Sequence, residues 1–386
     1  MNFETFLAGE LERIQGEGLY RSLRVINSPQ GPEVSCDGRL LANFASNDYL
    51  GLATHPNLQH AARAALEELG SGSGASRLIC GTHLHHQFLE EALTRFKRTE
   101  SALTFSSGYA AALGTIPALA GSGDIIILDK LSHACLVDGA RLSGASLRVF
   151  PHNHVEKLES HLRWAVEKFP GARRLILVES VYSMDGDCAP LRAIVELKER
   201  FGAWLLVDEA HAIGVIGRQG RGLIEEQGLS SHVDVQMGTL GKALGSCGAY
   251  ICGSAFLREY LVNRARSFIF STAPPPHCAA ASRAAVELLE SPNGESLVRR
   301  LHENMATLAA LLCDSVQSAI FPVIVGAEEA AVAASLSLLQ SGFLVPAIRY
   351  PTVARGAARL RATVTAAHQR ESVVRLASHL IALRPN

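Results

Sequence analysis

The chain contains 386 residues, of which 48% are hydrophobic and 19% are charged. This composition excludes an intrinsically disordered protein, because such chains are poor in apolar residues and rich in charge. The formal net charge is −1, and basic residues occur in no run longer than pairs such as Arg173-Arg174, so nucleic acid is excluded as an expected main partner.

The first elements predicted along the chain are a short helix and a β-hairpin. Apolar residues recur at helical spacing from Phe3 to Ile14, and Gly16 closes this pattern. The segment lacks a basic start followed by an apolar run, and no stretch approaches the roughly 18 apolar residues of a membrane span. We therefore expect a cytoplasmic protein. Further on, Asp37-Gly38 separates two strand-like runs and favours a type I′ hairpin turn.

From about residue 56 to about residue 290, short apolar runs alternate with longer helical stretches. This alternation is typical of a parallel sheet that helices cover on both faces. We therefore predict a doubly wound α/β domain with a mostly parallel, seven-stranded sheet. The predicted strands are SALTF (101–105), DIIIL (124–128), LRVF (147–150), RLILVE (174–179), AWLLVD (203–208), VDVQM (233–237) and GAYIC (248–252).

After about residue 290 the pattern changes, and we predict a smaller α+β domain. Its predicted elements are a helix (295–313), a strand (321–325), a helix (328–341), the strands LVPAI and ARLRATVT, and a last helix. The predicted organisation is an N-terminal helix and hairpin segment (1–50), a large α/β domain (51–290) and the C-terminal α+β domain (291–386).

Three motifs suggest functions that their context does not support. VDEAH (207–211) matches a helicase nucleotide site, but the P-loop that such a site needs does not precede it. GSGSGASR (70–77) follows a helix and not a strand, so we expect a flexible loop near a site. HLHH (83–86) lacks a third ligand at a suitable spacing, and the eight cysteines include no CxxC pair. We expect a solvated helix start at HLHH, reduced thiols and no metal site.

Polar residues follow several of the predicted strands, at the position where parallel sheets bind ligands. The segment 106–108 begins a helix whose first N–H groups suit a phosphate, and His133 begins the helix after the next strand. Asp208 ends a strand, His211 follows it, and Lys242 lies in a glycine-rich, apolar loop that favours a neutral, nucleophilic amine. Each feature taken singly has an ordinary structural explanation: an N-cap, a surface histidine, a paired acid and a solvated lysine. Together they are the parts that hold pyridoxal 5′-phosphate.

The sequence resembles the α-oxoamine synthases, a family of fold-type-I enzymes that depend on pyridoxal phosphate. The matching stretches are NFASNDYLGLATHP, GSGASR, SSGYAA, LSHACLVDGARLS, VYSMDGD, VDEAHAIGVIGRQGRG, GTLGKALG, FIFSTAPPP and PTVARGAARLRATVTAAH. They occur in the family's order and cover nearly the whole chain. The resemblance implies the fold of the fold-type-I transferases and a homodimer, because members of the family build their sites across the subunit interface.

The resemblance also implies a role for each matched residue of the cofactor site. Lys242 would form the Schiff base with pyridoxal 5′-phosphate, Asp208 would pair with the pyridinium nitrogen, and His133 would stack on the ring. His211 and Ser183 would contact the phenolic oxygen. The residues implied at the phosphate are Gly108, Tyr109, Thr239 and, from a second subunit, Ser271.

For the substrates, the resemblance implies that Arg361 binds the amino-acid carboxylate through a bidentate pair. The residues implied at the substrate entrance are Arg21, Asn47, Arg349 and Thr352. The segment IRYPTVARGAARLRATVTAAH favours members that condense L-alanine with a pimeloyl thioester, on CoA or on a carrier protein, in biotin biosynthesis. In that acyl transfer Lys242 would remove the Cα proton and His133 would donate to the thioester or ketone oxygen.

Two alternatives stay open. RLICGTH (77–83) and GTLGKALG also resemble members that join glycine to acetyl-CoA. A non-catalytic scaffold subunit would keep the same fold, although such a subunit would usually have lost Lys242, Asp208 or Arg361. Under every alternative the expected partners exclude nucleic acid and membranes.

Overall fold

The structure is a computed structural model that describes residues 2–315 and 317–383. It divides into two compact units. The larger unit consists of Asp48–Ser183 and Asp187–Arg300, and the smaller unit consists of Met1–Asn47, Met184–Gly186 and Leu301–Asn386. The first and last segments of the chain therefore belong to the same unit.

The elements are numbered in chain order. The strands are β1 (Glu33–Cys36), β2 (Arg39–Asn43), β3 (Ser101–Phe105), β4 (Ile125–Asp129), β5 (Ser146–Phe150), β6 (Arg174–Glu179), β7 (Trp204–Asp208), β8 (Val235–Thr239), β9 (Ala249–Gly253), β10 (Ile320–Gly326), β11 (Phe343–Leu344), β12 (Ala347–Ile348) and β13 (Ala358–Thr363). The helices are α1 (Phe3–Gly16), α2 (Pro56–Leu69), α3 (Leu84–Lys97), α4 (Gly108–Leu119), α5 (Ala134–Ser143), α6 (Val155–Lys168), α7 (Leu191–Phe201), α8 (Leu223–Glu226), α9 (Ala255–Arg264), α10 (Arg266–Ile269), α11 (Pro276–Leu289), α12 (Pro292–Leu312), α13 (Glu328–Gln340) and α14 (Arg370–Ala382), with a π-helical turn at Arg77–Gly81. In the described ranges, no helix combines the length and the apolar character needed to cross a membrane.

The larger unit contains a seven-stranded sheet with the strand order β3-β9-β8-β7-β6-β4-β5. Strand β9 is antiparallel to both of its neighbours, and the other adjacent pairs are parallel. Ile125, Ile126 and Ile127 of β4 are each at most 1% exposed, as expected for a strand that is covered on both faces. The prediction of a doubly wound, mostly parallel, seven-stranded sheet is therefore confirmed.

Several strand boundaries in this sheet differ from the predicted ones by one residue, and the largest difference, of two residues, is at β8. The predicted run VDVQM begins at residue 233, but β8 begins at Val235. Asp234 ends the turn before it, and its Oδ2 accepts the N–H of Leu205 at 2.8 Å. The side chain of Asp234 therefore bonds to the backbone of β7, just before β8 begins.

The smaller unit contains two three-stranded sheets, with the orders β1-β2-β11 and β10-β13-β12. The predicted hairpin is confirmed, because Asp37 and Gly38 have φ angles of 50° and 74°, as a type I′ turn requires. The prediction of LVPAI as one strand is wrong. Pro346 has no N–H to donate to a ladder, so the chain forms β11 before it and β12 after it, in different sheets.

Candidate active site

Asp208 lies at the carboxyl edge of the large sheet, as the last residue of β7. It is beside Glu179, which ends β6, and beside Met237 of β8. Asp208 is only 4% exposed, and its Oδ1 accepts the N–H of Ala210 at 2.9 Å. Burial raises its pKa, whereas the charge of Lys242 lowers it. A bound cationic group would offset the cost of burying this carboxylate.

Lys242 lies in the loop between β8 and β9, and backbone hydrogen bonds close this loop. The N–H of Gly245 donates to the carbonyl of Lys242 at 2.9 Å, and the N–H of Leu240 donates to the carbonyl of Gly248 at 2.9 Å. Gly245 has a φ of +62°, and a Cβ there would approach the carbonyl carbon of Leu52 to 2.4 Å. The glycine is therefore required both by the turn and by the close contact.

Lys242, His211 and Tyr49 form a chain of polar side chains in the larger unit. Nζ of Lys242 is 2.6 Å from Nε2 of His211, and Nδ1 of the same ring is 2.7 Å from the hydroxyl of Tyr49. The structure thus brings together two residues that the sequence predicted, in contact with one that it missed. Tyr49 is fully buried and lies within the stretch NFASNDYLGLATHP. Because a buried tyrosine usually needs a hydrogen-bond partner for its hydroxyl, a tyrosine in this matched stretch was the feature of the sequence that could have indicated the contact.

The start of α4 presents backbone N–H groups beyond the end of β3. Ser107 is the N-cap, and its Oγ accepts the N–H of Ala110 at 3.1 Å. The first backbone bond of the helix runs from Ala111 to the Ser107 carbonyl. The N–H groups of Gly108 and Tyr109 precede that bond, and they point past the helix terminus as donors for an anion.

Two more residues predicted at the phosphate have side chains with protein partners. Oγ1 of Thr239, at the end of β8, donates to the carbonyl of Gly248 at 3.1 Å and accepts the N–H of Gly241 at 3.3 Å. The hydroxyl of Tyr109 donates to the carboxylate of Asp138. Tyr109 can therefore serve a phosphate through its backbone N–H and not through its hydroxyl.

His133 is the N-cap of α5, which follows β4. The residue is exposed to solvent, yet its backbone N–H donates to Oε1 of Glu179 at 2.5 Å. Although part of the residue is exposed, the protein around the ring shields it from water and lowers the pKa of His133, and the nearby carboxylate of Asp208 opposes this shift. The imidazole is accordingly neutral at neutral pH.

Glu179 is a site residue that the sequence reasoning missed. It is 2% exposed, and burial together with the neighbouring carboxylate of Asp208 raises its pKa well above the usual range. Glu179 is the last residue of the run RLILVE. An acid at the end of an apolar strand was the same signal that identified Asp208.

The last two residues predicted at the cofactor lie in different segments of the larger unit. Ser183 is buried in the turn after β6. Ser271 is half-buried between α10 and α11, next to Thr272, which forms an isolated bridge with Ser76. The predicted phosphate contact of Ser271 involves a second subunit and stays a prediction.

Arg361 and Asn47 contact each other within the smaller unit. Arg361 lies on β13 and is 4% exposed, and its Nη1 donates to Oδ1 of Asn47 at 3.1 Å. A guanidinium that is so deeply buried requires good acceptors. A carboxylate that accepts two parallel hydrogen bonds is the ligand that best matches its geometry.

The other three residues predicted at the substrate entrance also lie in the smaller unit. Nη1 of Arg349 donates to the carbonyl of Gly18 at 2.5 Å, and Nη2 of Arg21 donates to the carbonyl of Tyr350 at 3.3 Å. The N–H of Thr352 donates to the carbonyl of Arg349 at 3.0 Å. The bonds of Arg349 and Arg21 link the segment after α1 to the segment after β12, and the bond of Thr352 closes a turn within the latter segment.

The prediction of a solvated helix start at HLHH does not hold for the last histidine of the motif, His86. His86 is 1% exposed, its Nδ1 accepts the N–H of His83 at 3.0 Å, and its Nε2 donates to the carbonyl of Pro274 at 2.9 Å. Burial lowers the pKa of His86 to about 4. The prediction is wrong for this residue, because a backbone carbonyl replaces water. No group of three or more potential metal ligands occurs among the described residues, and none of the eight cysteines takes part in a disulfide.

His152 bridges two carboxylates beside the turn that carries Ser183. Its Nδ1 is 3.0 Å from Oδ1 of Asp129, and its Nε2 is 2.7 Å from Oδ2 of Asp187. Partial burial lowers the pKa of His152, but the hydrogen bonds to both carboxylates outweigh this and raise it to about 10. The ring is therefore an imidazolium that ties β4 to the segment after β6.

We expect His152 to make stability depend on pH. Its pKa lies near 6.5 when unfolded and near 10 when folded, so its contribution is complete below pH 6.5 and is lost progressively as the pH rises to 10. His152→Gln should lower the unfolding free energy by about 2 kcal/mol at acidic pH and by much less at alkaline pH. Urea unfolding of both proteins across this range measures the difference. A difference that does not change with pH would contradict the prediction.

Comparison with known proteins identifies the family. Residues 41–380 match the family model of the class I and II aminotransferases, and the chain belongs to this family. It is similar to the 8-amino-7-oxononanoate synthase of Geobacter sulfurreducens, with 49% identity over 379 residues that cover 96% of this chain and 95% of the relative. The 8-amino-7-oxononanoate synthase of Pelobacter propionicus is also 49% identical, over 93% of both chains.

Solved structures support the same assignment. Serine palmitoyltransferase from S. paucimobilis, solved with a bound adduct of PLP and myriocin, superposes with a TM-score of 0.91 at 31% identity, over 99% of this chain and 98% of that one. The 8-amino-7-oxononanoate synthase of Francisella tularensis gives a TM-score of 0.73 at 27% identity, over 88% and 96% of the two chains. The predicted resemblance to the α-oxoamine synthases and the predicted fold-type-I fold are confirmed.

Proposed function

We propose that the protein is a pyridoxal-phosphate-dependent C-acyltransferase that condenses L-alanine with a pimeloyl thioester to form 8-amino-7-oxononanoate, CO₂ and a free thiol. The observation that carries this proposal is the 49% identity with a relative of that name over 96% of the chain. The product is a precursor of biotin. Retention of Lys242, Asp208 and Arg361 supports a catalytic protein over a scaffold subunit.

The residues of the larger unit fit pyridoxal phosphate. The buried carboxylate of Asp208 suits the protonated pyridine nitrogen, and the free N–H groups at the start of α4 suit the phosphate. Nζ of Lys242 is the amine for the aldehyde, and the site places it against His211 at 2.6 Å. The cofactor supplies an aldehyde that binds amino groups and a ring that withdraws electrons from the substrate Cα.

The residues of this chain would then move protons and hold charge. Nζ of Lys242 would accept the Cα proton of L-alanine. The Cα carbon would attack the thioester carbonyl, the thiol would leave, and His133 would donate a hydrogen bond to the oxygen as its negative charge develops. After loss of CO₂, a proton returned to the same carbon would complete the product.

The substrate contacts are proposed for the smaller unit. Arg361 would bind the carboxylate of L-alanine, in the orientation that its bond to Asn47 imposes. Arg21, Arg349 and Thr352 would contact the acyl substrate at its entrance. A second subunit would complete the site through Ser271, so the working form would be a homodimer, and we propose that it works in the cytoplasm. CoA and a carrier protein both remain candidates for the thiol.

An assay of thiol release tests this proposal. With L-alanine and pimeloyl-CoA, the purified protein loaded with pyridoxal phosphate should release CoA at a rate well above that with glycine and acetyl-CoA. Mass spectrometry should identify 8-amino-7-oxononanoate as the product. A preference for glycine and acetyl-CoA would contradict the proposal. It would favour the alternative that the protein forms 2-amino-3-ketobutyrate, since the segment GTLGKALG also resembles the enzymes that catalyse that reaction.

A further inference from the structure

The imidazole of His133 is in contact with Cys135, two residues further along α5. Nδ1 of His133 accepts the backbone N–H of Cys135 at 3.2 Å, and Sγ of Cys135 lies 3.1 Å from the same nitrogen. The thiol is 2% exposed, and burial raises its pKa far above the usual range. The sulfur therefore keeps its proton and faces Nδ1 as a donor.

Two donors that converge on Nδ1 decide where the ring carries its own proton. A neutral imidazole has one nitrogen that donates and one that accepts. Since the amide and the thiol of Cys135 both donate to Nδ1, this nitrogen is the acceptor and Nε2 carries the proton. Adding a proton to Nδ1 would place it against both donors, so the arrangement also opposes the imidazolium form.

The surroundings of the ring include groups that lower the pKa of His133 and groups that raise it. Burial lowers the pKa of His133 and so does the charge of Lys242, whereas Asp208 and Asp138 raise it. Glu179 fixes the main chain through the His133 N–H. Because Glu179 holds the backbone of His133, the ring can change its orientation only by rotation of the side chain. That rotation is limited by the groups that contact Nδ1.

We propose that Cys135 is a positioning residue that holds His133 as the neutral Nε2–H tautomer, so that the ring offers the substrate a hydrogen-bond donor and not a base. The consequence for catalysis rests on the proposed function, but the tautomer itself does not. Alanine at position 135 would keep the amide donor and lose the thiol, so that one of the two contacts at Nδ1 is removed and the ring and its tautomer are held less firmly.

The tautomer can be measured by NMR on the cofactor-free protein with isotope-labelled histidine. The signals of His133 are identified by their absence in His133→Gln. The parent and Cys135→Ser, which keeps a donor, should show a protonated Nε2, and Cys135→Ala should show ring-nitrogen signals shifted from the parental values towards the average of the two tautomers. Cys252→Ala is the matched control, because Cys252 is a fully buried cysteine on β9. A protonated Nδ1 in the parent would overturn the proposal.

Activity provides the second readout. We expect Cys135→Ala to lower kcat about fivefold to tenfold, with KM for L-alanine nearly unchanged, because the hydrogen bond from His133 matters most as charge develops. Cys135→Ser should recover most of the rate. Equal kcat values for Cys135→Ala and Cys252→Ala would overturn the positioning role. If the parent shows the Nε2–H tautomer but makes no product, the proposed function fails while the tautomer assignment stands.

If Cys135→Ala fails to fold, the parent and Cys135→Ser spectra still decide the tautomer, and Cys135→Val replaces alanine as the variant without a donor. Valine fills the volume of the thiol but cannot donate to Nδ1. A Cys135→Val protein with the parental ring signals and the parental kcat would overturn the proposal.

Discussion

Lys242→Ala is expected to abolish turnover, with kcat lowered by at least about a thousandfold. Nζ of Lys242, 2.6 Å from Nε2 of His211, is the group proposed both to attach the cofactor and to move the substrate Cα proton. Alanine offers neither a nucleophile nor a base. The fold should persist, because the loop is closed by backbone bonds such as that from Gly245 to the carbonyl of residue 242.

Two measurements separate this loss from unfolding. CoA release from pimeloyl-CoA with L-alanine reports turnover, and borohydride reduction followed by peptide mass spectrometry reports covalent attachment of pyridoxal phosphate. The parent should carry the adduct on the peptide that contains Lys242, and Lys242→Ala should carry none. Lys168→Ala, at the exposed end of α6, should keep both properties. A parental adduct on a different lysine would disprove the assignment.

The sequence predicts the position of the candidate site because of one property of parallel sheets. The apolar runs mark the strands, their carboxyl ends meet at one edge, and ligands bind beyond that edge. Asp208, Thr239 and Lys242 can therefore be predicted to lie near one another without any knowledge of side-chain contacts. The structure agrees, because Asp208 pairs with β8 in register and the loop with Lys242 follows that strand.

Contacts between distant segments could not be predicted from the same patterns. Periodicity describes which face of an element is apolar, but not which distant residue lies against it. Strand β11 pairs with β2 across about three hundred residues of sequence, and the hydroxyl of Tyr49 reaches His211 from a segment that precedes the sheet. The role of Glu179 is of the same kind, because its carboxylate accepts the N–H of His133, which lies 46 residues earlier in the chain.

Lys97 and Glu209 form a buried ion pair between distant segments of the chain. We expect Lys97→Met to lower the unfolding free energy by about 3–5 kcal/mol. The side chains of Lys97 and Glu209 are 1% and 0% exposed. Nζ of Lys97 also contacts the carbonyl of Arg221, and Oε1 of Glu209 accepts the N–H of Ile224 at 2.9 Å. Methionine preserves the length of the side chain but leaves the carboxylate without its counter-ion in a low-dielectric interior.

Urea unfolding followed by tryptophan fluorescence measures this loss, because both tryptophans, Trp164 and Trp204, belong to the larger unit. Arg163→Met is the matched control. It breaks an ion pair with Glu159 at 2.7 Å in which the arginine side chain is 61% exposed, and such surface pairs contribute about 1 kcal/mol or less. A loss for Lys97→Met no larger than that of the control would contradict the prediction.

The double variant Lys97→Met/Glu209→Leu distinguishes a missing attraction from an unpaired charge. If the large loss in Lys97→Met arises because Glu209 is left buried without a partner, removing both charges should recover most of the stability, as apolar replacements of buried pairs often do. Glu209 directly follows Asp208 and lies two residues before His211. The position of this segment at the sheet edge should therefore affect both stability and cofactor binding. Lys97→Met should bind pyridoxal phosphate more weakly than the parent. The double variant should recover cofactor binding together with stability.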